Sequence, residues 1–248
     1  LGDRITPSIW RLIDTDLNHP YFVTAADEAI AIAMAYANNN IGPTLHFYRR
    51  SPPGISIGYF RKTIDDVDIE LCKKLGIVIV RRTSAGGSIY TDKDQLIFSL
   101  ISKKPLGKNV DEIFRNVGDI IIGTLNDFNI IATFKPPNDV QINGKKISGS
   151  AQVKKKNIYL IHSTLIFSID QTLLERVLKN HIPDNVSSIK RETGKIIDIS
   201  ALKEALRDKI AEKFNIQFKP GTFTETERRL IEQLINDKYS TNQWNFKR

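Results

Sequence analysis

Between Val80 and Tyr90 the chain reads Val-Arg-Arg-Thr-Ser-Ala-Gly-Gly-Ser-Ile-Tyr, a strand-like run that enters and leaves a loop of small residues. Gly86 and Gly87 lack a Cβ, so backbone amides there can come close to a phosphate or carboxylate, and Arg82 offers a positive fork beside them. Such a loop can cradle an anion. It is neither a P-loop nor a dinucleotide fingerprint, because the glycine spacing differs and no helix follows. On its own the pattern also suits a plain tight turn. A second segment, Asn138 to Gln152, holds Asp139, a lysine pair and the small residues Ser148-Gly149-Ser150-Ala151. Asn143-Gly144 readily takes the positive φ angles of a type I′ turn, which makes the flanking residues a hairpin. Strand alternation then sends Ile147 to one face and Lys146 with Ser148 to the other. Facing a pocket, Lys146 would neutralise charge that develops in a reaction; facing outward, it is a solvated strand lysine.

The elements that must position these segments are legible in outline. Thr24-Ala25-Ala26-Asp27 opens a helix through Ala37, with Thr24 as its N-cap, and Asn38-Asn39-Asn40 ends it. Strand-like runs follow at Leu45–Tyr48, Ile55–Tyr59, Ile77–Val80, Ser88–Thr91 and Leu96–Ile101, with a helix around Cys72 between them. Ile113, Val117, Ile121, Leu125 and Phe128 make one apolar stripe on a helix over 110–128. Ile158–Phe167 is a further strand, and helices are expected over Gln171–Leu178, Leu202–Phe214 and Glu225–Asn236. Strands with helices between and after them, and few βαβ repeats, predict an α+β fold on a mixed, largely antiparallel sheet flanked by helices. With no repeat and no linker, residues 1–248 read as a single catalytic domain whose last part, 221–248, is a helical tail.

Composition narrows the function classes. The 248 residues are 41% hydrophobic, enough for a real core, and no run approaches the length of a membrane span. With no basic-then-apolar leader pattern, the expected location is cytoplasmic. The sole cysteine, Cys72, sits on a helix with Val67, Leu71 and Leu75 and is expected to be part-buried and inert. A net charge of +8 favours an acidic partner. The Lys154-Lys155-Lys156 triplet lacks interleaved aromatics, so it reads as a solvated hairpin tip and nucleic acid is not the expected partner.

Taken together, the two segments resemble the lipoate-protein ligase A family. That family's pattern runs Arg-Arg-x-Ser, three glycines, Asn-Asp, Lys-x-Ser-Gly-Ser-Ala, a His-Gly-Thr-Leu strand and a closing Lys-Tyr-x-x-x-x-Trp-x-Phe. Here it stands as Arg81-Arg82-Thr83-Ser84-Ala85-Gly86-Gly87, Asn138-Asp139, Lys146-Ile147-Ser148-Gly149-Ser150-Ala151, His162-Ser163-Thr164-Leu165 and Lys238-Tyr239 to Trp244-Asn245-Phe246. The resemblance implies the fold shared with biotin ligases and class II aminoacyl-tRNA synthetase cores. It also implies a two-step reaction: lipoate and ATP, with Mg²⁺, give lipoyl-AMP, and an acceptor lysine then takes the lipoyl group. By this resemblance Lys146 is catalytic, bridging carboxylate and α-phosphate. Arg82, Gly86, Gly87, Ser88, Ile89 and Tyr90 hold the adenylate; Asn138 and Asp139 hold the nucleotide, with Asp139 on the Mg²⁺. Ser148, Gly149, Ala151, His162 and Thr164 complete the substrate site, although His162 also fits a satisfied core histidine.

The chain departs from the family at Ala85, Thr91, Asp94-Gln95 and Ser163, where the pattern has Gly, His, Gly-Asn and Gly. Two rivals remain: an octanoyl or lipoyl transferase of the same fold, which forms a thioester on a cysteine, and a non-catalytic carrier- or nucleic-acid-binding relative. The implied acceptor is a 2-oxoacid dehydrogenase lipoyl domain or a glycine-cleavage H-like protein. Two-domain members continue past Trp-x-Phe into an accessory domain, so a small separate accessory protein is expected to supply it, with Trp244 and Phe246 either docking that protein or packing back on the core. An acceptor with an acidic face would be steered by the positive charge, and such steering weakens with ionic strength. Acceptor modification at subsaturating acceptor should therefore slow several-fold from low to high salt; a flat profile would give the charge another purpose.

Overall fold

The protein, analysed as a computed structural model, is described over residues 7–36, 41–179 and 185–247. Among these residues the strands are β1 (Ser8–Asn18), β2 (Thr44–Arg50), β3 (Gly54–Ile57), β4 (Val78–Arg81), β5 (Ile89–Thr91), β6 (Gln95–Ser102), β7 (Thr133–Lys135), β8 (Asp139–Ile142), β9 (Lys145–Lys155), β10 (Ile158–Ile166) and β11 (Ile216–Pro220). The helices are α1 (Pro20–Tyr36), α2 (Thr63–Asp66), α3 (Ile69–Lys74), α4 (Val110–Asp127), α5 (Gln171–Val177), α6 (Ile189–Thr193), α7 (Ile199–Phe214), α8 (Glu225–Leu234) and α9 (Asn242–Asn245), with a π-helical turn, Ile235–Tyr239, after α8. An eight-stranded sheet runs β11-β1-β2-β6-β10-β9-β8-β7, and a three-stranded sheet runs β4-β3-β5. In the large sheet only β11-β1 and β1-β2 are parallel. The α+β expectation, with its mainly antiparallel sheet flanked by helices, holds.

Helices cover both faces of the central strands, which is why β6 is buried along its whole length and reads as a nearly unbroken apolar run. Leu96, Phe98 and Leu100 meet Ile113, Val117, Ile121 and Leu125 of α4 and Leu202, Leu206 and Ile210 of α7 in the largest core. On the opposite face Ile101 and Leu160 meet Ile30, Ala33 and Met34 of α1. The small sheet packs on α1 through Val80 against Ala25, Ala26 and Ala29. Its other side is closed by α3 and α5 in a second core that holds Cys72. No helix of the described residues is long and apolar enough to cross a membrane.

Two expectations need correcting, and one choice left open is resolved. Helix α1 begins at Pro20, whose missing N–H costs nothing in a first turn, and Thr24 lies inside it, donating to the Pro20 carbonyl at 2.7 Å. Its expected end at Asn38–Asn40 lies outside the described residues. Strands β1 and β11 were absent from the sequence reading: β1 carries Arg11, Asp14 and Asp16 with a register shift between the two aspartates, and the edge strand β11 ends in proline. The choice left open for the aromatic tail resolves to packing. Trp244 donates Nε1–H to the Arg81 carbonyl at 2.8 Å, and Phe246 lies against the core around Ile55 and Val67.

That closing element is tied down by hydrogen bonds. Asn245, 2% exposed, accepts from the Arg81 amide at 2.9 Å and donates to the Tyr239 carbonyl at 2.8 Å. Tyr239 and Lys238 both donate to the buried Glu28 of α1. Asn245→Ala leaves a buried N–H and a buried carbonyl without partners, so it should cost about 1–3 kcal/mol in urea unfolding; an unchanged midpoint would mean that the element contributes nothing to the fold.

Candidate active site

The β8–β9 hairpin turns at Asn143 and Gly144, whose φ angles of 52° and 75° are both positive, as a type I′ turn requires. Val140 pairs with Ser148 but Gln141 pairs with Lys146, so Ile147 is an extra residue and the strand bulges. The bulge breaks the expected alternation. Ile147 enters the main core, and Ser148 sits beside Ser163 at 3.2 Å between Oγ atoms, on the α4 side of the sheet. Ser148 is therefore not on the face of Lys146, contrary to expectation. Lys146 instead lies over Gly149, where a Cβ would come within 2.9 Å of its Cε and Nζ. Its ammonium is 2.6 Å from Asp139 Oδ1. Its backbone is clamped as well: its N–H donates to the Asn185 carbonyl, and its carbonyl accepts from Ser187 N at 2.8 Å. Asn138 donates its side-chain amide to the Ser150 carbonyl and accepts from the Ser150 amide, which holds Asp139 at the start of β8.

Arg82 follows β4 and is almost fully buried. Its guanidinium donates to the carbonyls of Ser56, Ala85 and Gly87 and to Ser84 Oγ, at 2.8 to 3.0 Å. The expected phosphate fork thus shapes its own loop. Gly86 has φ 105°, and a Cβ on the neighbouring Gly58 would fall 1.9 Å from the Gly86 carbonyl oxygen, so both glycines are required by the close approach. Of the residues expected to hold the adenylate, Ser88 donates to Asp66 at 2.6 Å and Tyr90 points into the small-sheet core, where its hydroxyl donates to Asp92. Ile89, alternating with them, lines the cleft.

That cleft, about 440 Å³ with its open mouth, lies between the large sheet, α1 and the small sheet. Thr164 and His162 line it, and cross-strand pairs put Gly149 and Ala151 of β9 beside them. Past Leu160 and Thr83 it opens into a wider groove of about 720 Å³ between Ala31, Ile32 and Ala35 of α1 and the β9–β10 hairpin, whose tip carries the exposed Lys154 to Lys156. His162 lines the cleft with its Nε2 2.8 Å from Ser84 Oγ. Burial, helped by the Arg82 charge, pushes the imidazole down to about 4, so the ring is neutral at neutral pH.

The structure adds residues that the sequence reading did not single out. Asp27 of α1 is bonded by His46 Nδ1 at 2.8 Å, Tyr48 hydroxyl at 3.1 Å and Ser99 hydroxyl at 2.6 Å. Arg50, at the end of β2, donates to Thr91 Oγ1 at 3.1 Å and Thr24 Oγ1 at 3.3 Å. An acidic residue set among alanines and isoleucines in an apolar helix was the available signal for Asp27. Arg50 gave none, standing in a pair of strand arginines.

Residues 19–211 match the lipoyl protein ligase A/B catalytic domain. The chain belongs to that family. Within the lipoyl ligase family it is similar to the octanoyltransferase LipM of Geobacillus kaustophilus, 30% identical over 97% of this chain and 99% of that protein. Among solved structures it is similar to a bi-partite lipoate protein ligase described with its E2 lipoyl domain from Thermoplasma acidophilum, with 29% identity, a TM-score of 0.85 and 96% of each chain covered. A lipoate-protein ligase A bound with ATP is 27% identical, with a TM-score of 0.83 over 97% of this chain and 98% of that one.

The His162 environment makes a pH prediction. The folded ring binds its proton near 4 and the unfolded ring near 6.5, so the unfolded chain takes up more protons between them and stability falls as pH drops through that window. His162→Gln, which keeps a hydrogen-bonding partner for Ser84, should flatten this part of the pH–stability curve in urea titrations at pH 7 and pH 4.5. An equally steep curve in the variant would mean that the ring titrates normally.

Proposed function

We propose that this chain joins lipoate to ATP as lipoyl-AMP and passes the lipoyl group to a lysine of a lipoyl-acceptor protein. The observation that favours ligation over transfer through an enzyme thioester is the position of the sole thiol. Cys72 is fully buried in the core of the small sheet with Ile55, Val67 and Leu174, and it does not line the cleft. Burial, with Asp68 adding to it, pushes the thiol up to about 11, far from a thiolate at neutral pH. Lys146, by contrast, lies over Gly149, the cross-strand neighbour of the cleft residue Thr164, with its charge held in place by Asp139.

In the first step a carboxylate oxygen of lipoate attacks the α-phosphorus of ATP, and the bond to pyrophosphate breaks. Lys146, braced over Gly149 and along its backbone, presents a cation where carboxylate and phosphate meet, and such preorganisation needs no rearrangement as negative charge grows. Arg82 contributes charge to the cleft and shape to the loop, while Ile89 and Thr164 wall the acyl chain. In the second step the acceptor amine attacks the acyl carbonyl, AMP leaves, and the amine proton is lost to solvent.

Among the described residues no cluster of three or more His, Cys, Asp or Glu can hold a metal alone. A site of one carboxylate plus substrate phosphates suits magnesium, and Asp139 fits that mode; the ion would supply charge neutralisation at the phosphates. The bi-partite Thermoplasma relative supports a separate accessory subunit as a partner, and its E2 lipoyl domain supports a lipoyl domain as acceptor. A second reading, an octanoyl group as the cargo, is favoured by the LipM relatives.

Lipoate-dependent pyrophosphate release, assayed with the accessory partner present, tests the reading. Lys146→Ala should lower it about a hundredfold or more while circular dichroism stays native, the scale expected for losing one preorganised charge. Near-normal turnover in the variant would remove Lys146 from the chemistry.

A further inference from the structure

The inner end of the cleft does not suit a plain hydrocarbon. Arg50 is 4% exposed, lines the cleft, and has an Nε with no hydrogen-bond partner among the described residues. Its two terminal nitrogens donate to threonine hydroxyls, Thr91 and Thr24, neither of which carries charge. Arg82 adds a second buried guanidinium to the same cleft. Against these stands Asp27, whose carboxylate already accepts from His46, Tyr48 and Ser99. A buried guanidinium with an unmet N–H is costly unless an acceptor arrives.

Position along the sheet says which part of a substrate would meet it. Lys146 is on β9 and Arg50 on β2, with β10 and β6 between them. Neighbouring strands lie about 4.8 Å apart, which separates the two by roughly 14 Å across the sheet. We infer that Arg50 is a specificity-determining residue that reads a hydrogen-bond acceptor at the far end of the acyl substrate, so that the preferred acid ends in an oxygen or sulfur atom rather than a methyl group. The inference rests on the proposed function only in placing the carboxylate at Lys146. Thr91 and Thr24 orient the guanidinium, and Tyr48 and Ile97 form the wall that the chain crosses.

The test measures binding, not turnover, so it stands apart from the ATP-dependent step. Octanoate, 8-hydroxyoctanoate and lipoate are titrated into the full chain by calorimetry without nucleotide. The acceptor-ended acids should bind about tenfold tighter than octanoate, as expected for a hydrogen bond to a charged group, and Arg50→Met should erase the gap between octanoate and its 8-hydroxy analogue. Because Arg50→Met removes a buried charge and can disturb folding, the wild-type pair of octanoate and 8-hydroxyoctanoate is decisive by itself. Equal affinities for that pair overturn the inference and place the chain end in the apolar groove beside Ala31 and Ile32. A preference that survives in a folded Arg50→Met protein assigns it to another group and also overturns it. If none of the acids binds, the slot is not an acyl site; if they bind without pyrophosphate release, the ligase reading fails while this inference is judged on the affinities.

Discussion

Two consecutive arginines, solvated by main-chain carbonyls, hold the site together. Arg81 donates to the carbonyls of Gly58, Tyr59 and Arg61, to Thr63 Oγ1, and to Trp244 and Asn245 of the closing element. Arg82 turns the other way and gathers Ser56, Ser84, Ala85 and Gly87. One residue therefore locks the tail and the loop after β3, and the next shapes the glycine loop over the cleft. Buried charge of this kind persists only with its donors met, because desolvation is otherwise prohibitive. The local backbone is over-determined as a result, and Gly58 and Gly86 are the concession that lets the strands come this close.

The electrostatics follow from the same packing. Burial pulls Arg82 down to about 10, with Arg50 nearby adding to the effect, yet both stay charged at neutral pH. His162, beside them, stays neutral for the same reason. The cleft thus holds fixed cations and a neutral imidazole, facing an aspartate that is fully occupied by its own donors. Such an interior favours anions and growing negative charge, in keeping with the adenylate proposed above, and the partly exposed Lys146 stands on the neighbouring strand β9.

Much of this was legible where the signal is local. Asn143-Gly144 announces its turn, the four-residue stripe of α4 its buried face, and Arg82 with Gly86-Gly87 a strand-loop-strand. The Lys154 triplet proved to be the exposed hairpin tip that its composition suggested. What stayed hidden depends on partners far along the chain. A one-residue bulge, set by pairing with β8, moves Ser148 away from Lys146, and no local pattern announces it. Arg50 and Asp27 belong to different elements and become one site only when α1 lies across β2 and β6. Ser88 and Tyr90 show what a motif leaves open: the Tyr90 side chain packs into the small-sheet core, and Asp66 engages the Ser88 hydroxyl.

The central claim is that the acyl group is carried as an adenylate in this cleft and never on the protein. Intact-mass analysis after incubation with ATP and lipoate, with the accessory partner and without acceptor, tests it most directly. The account predicts a chain of unchanged mass with lipoyl-AMP released on denaturation. An acyl adduct on the chain, mapped to Cys72 and cleaved by hydroxylamine, would contradict it.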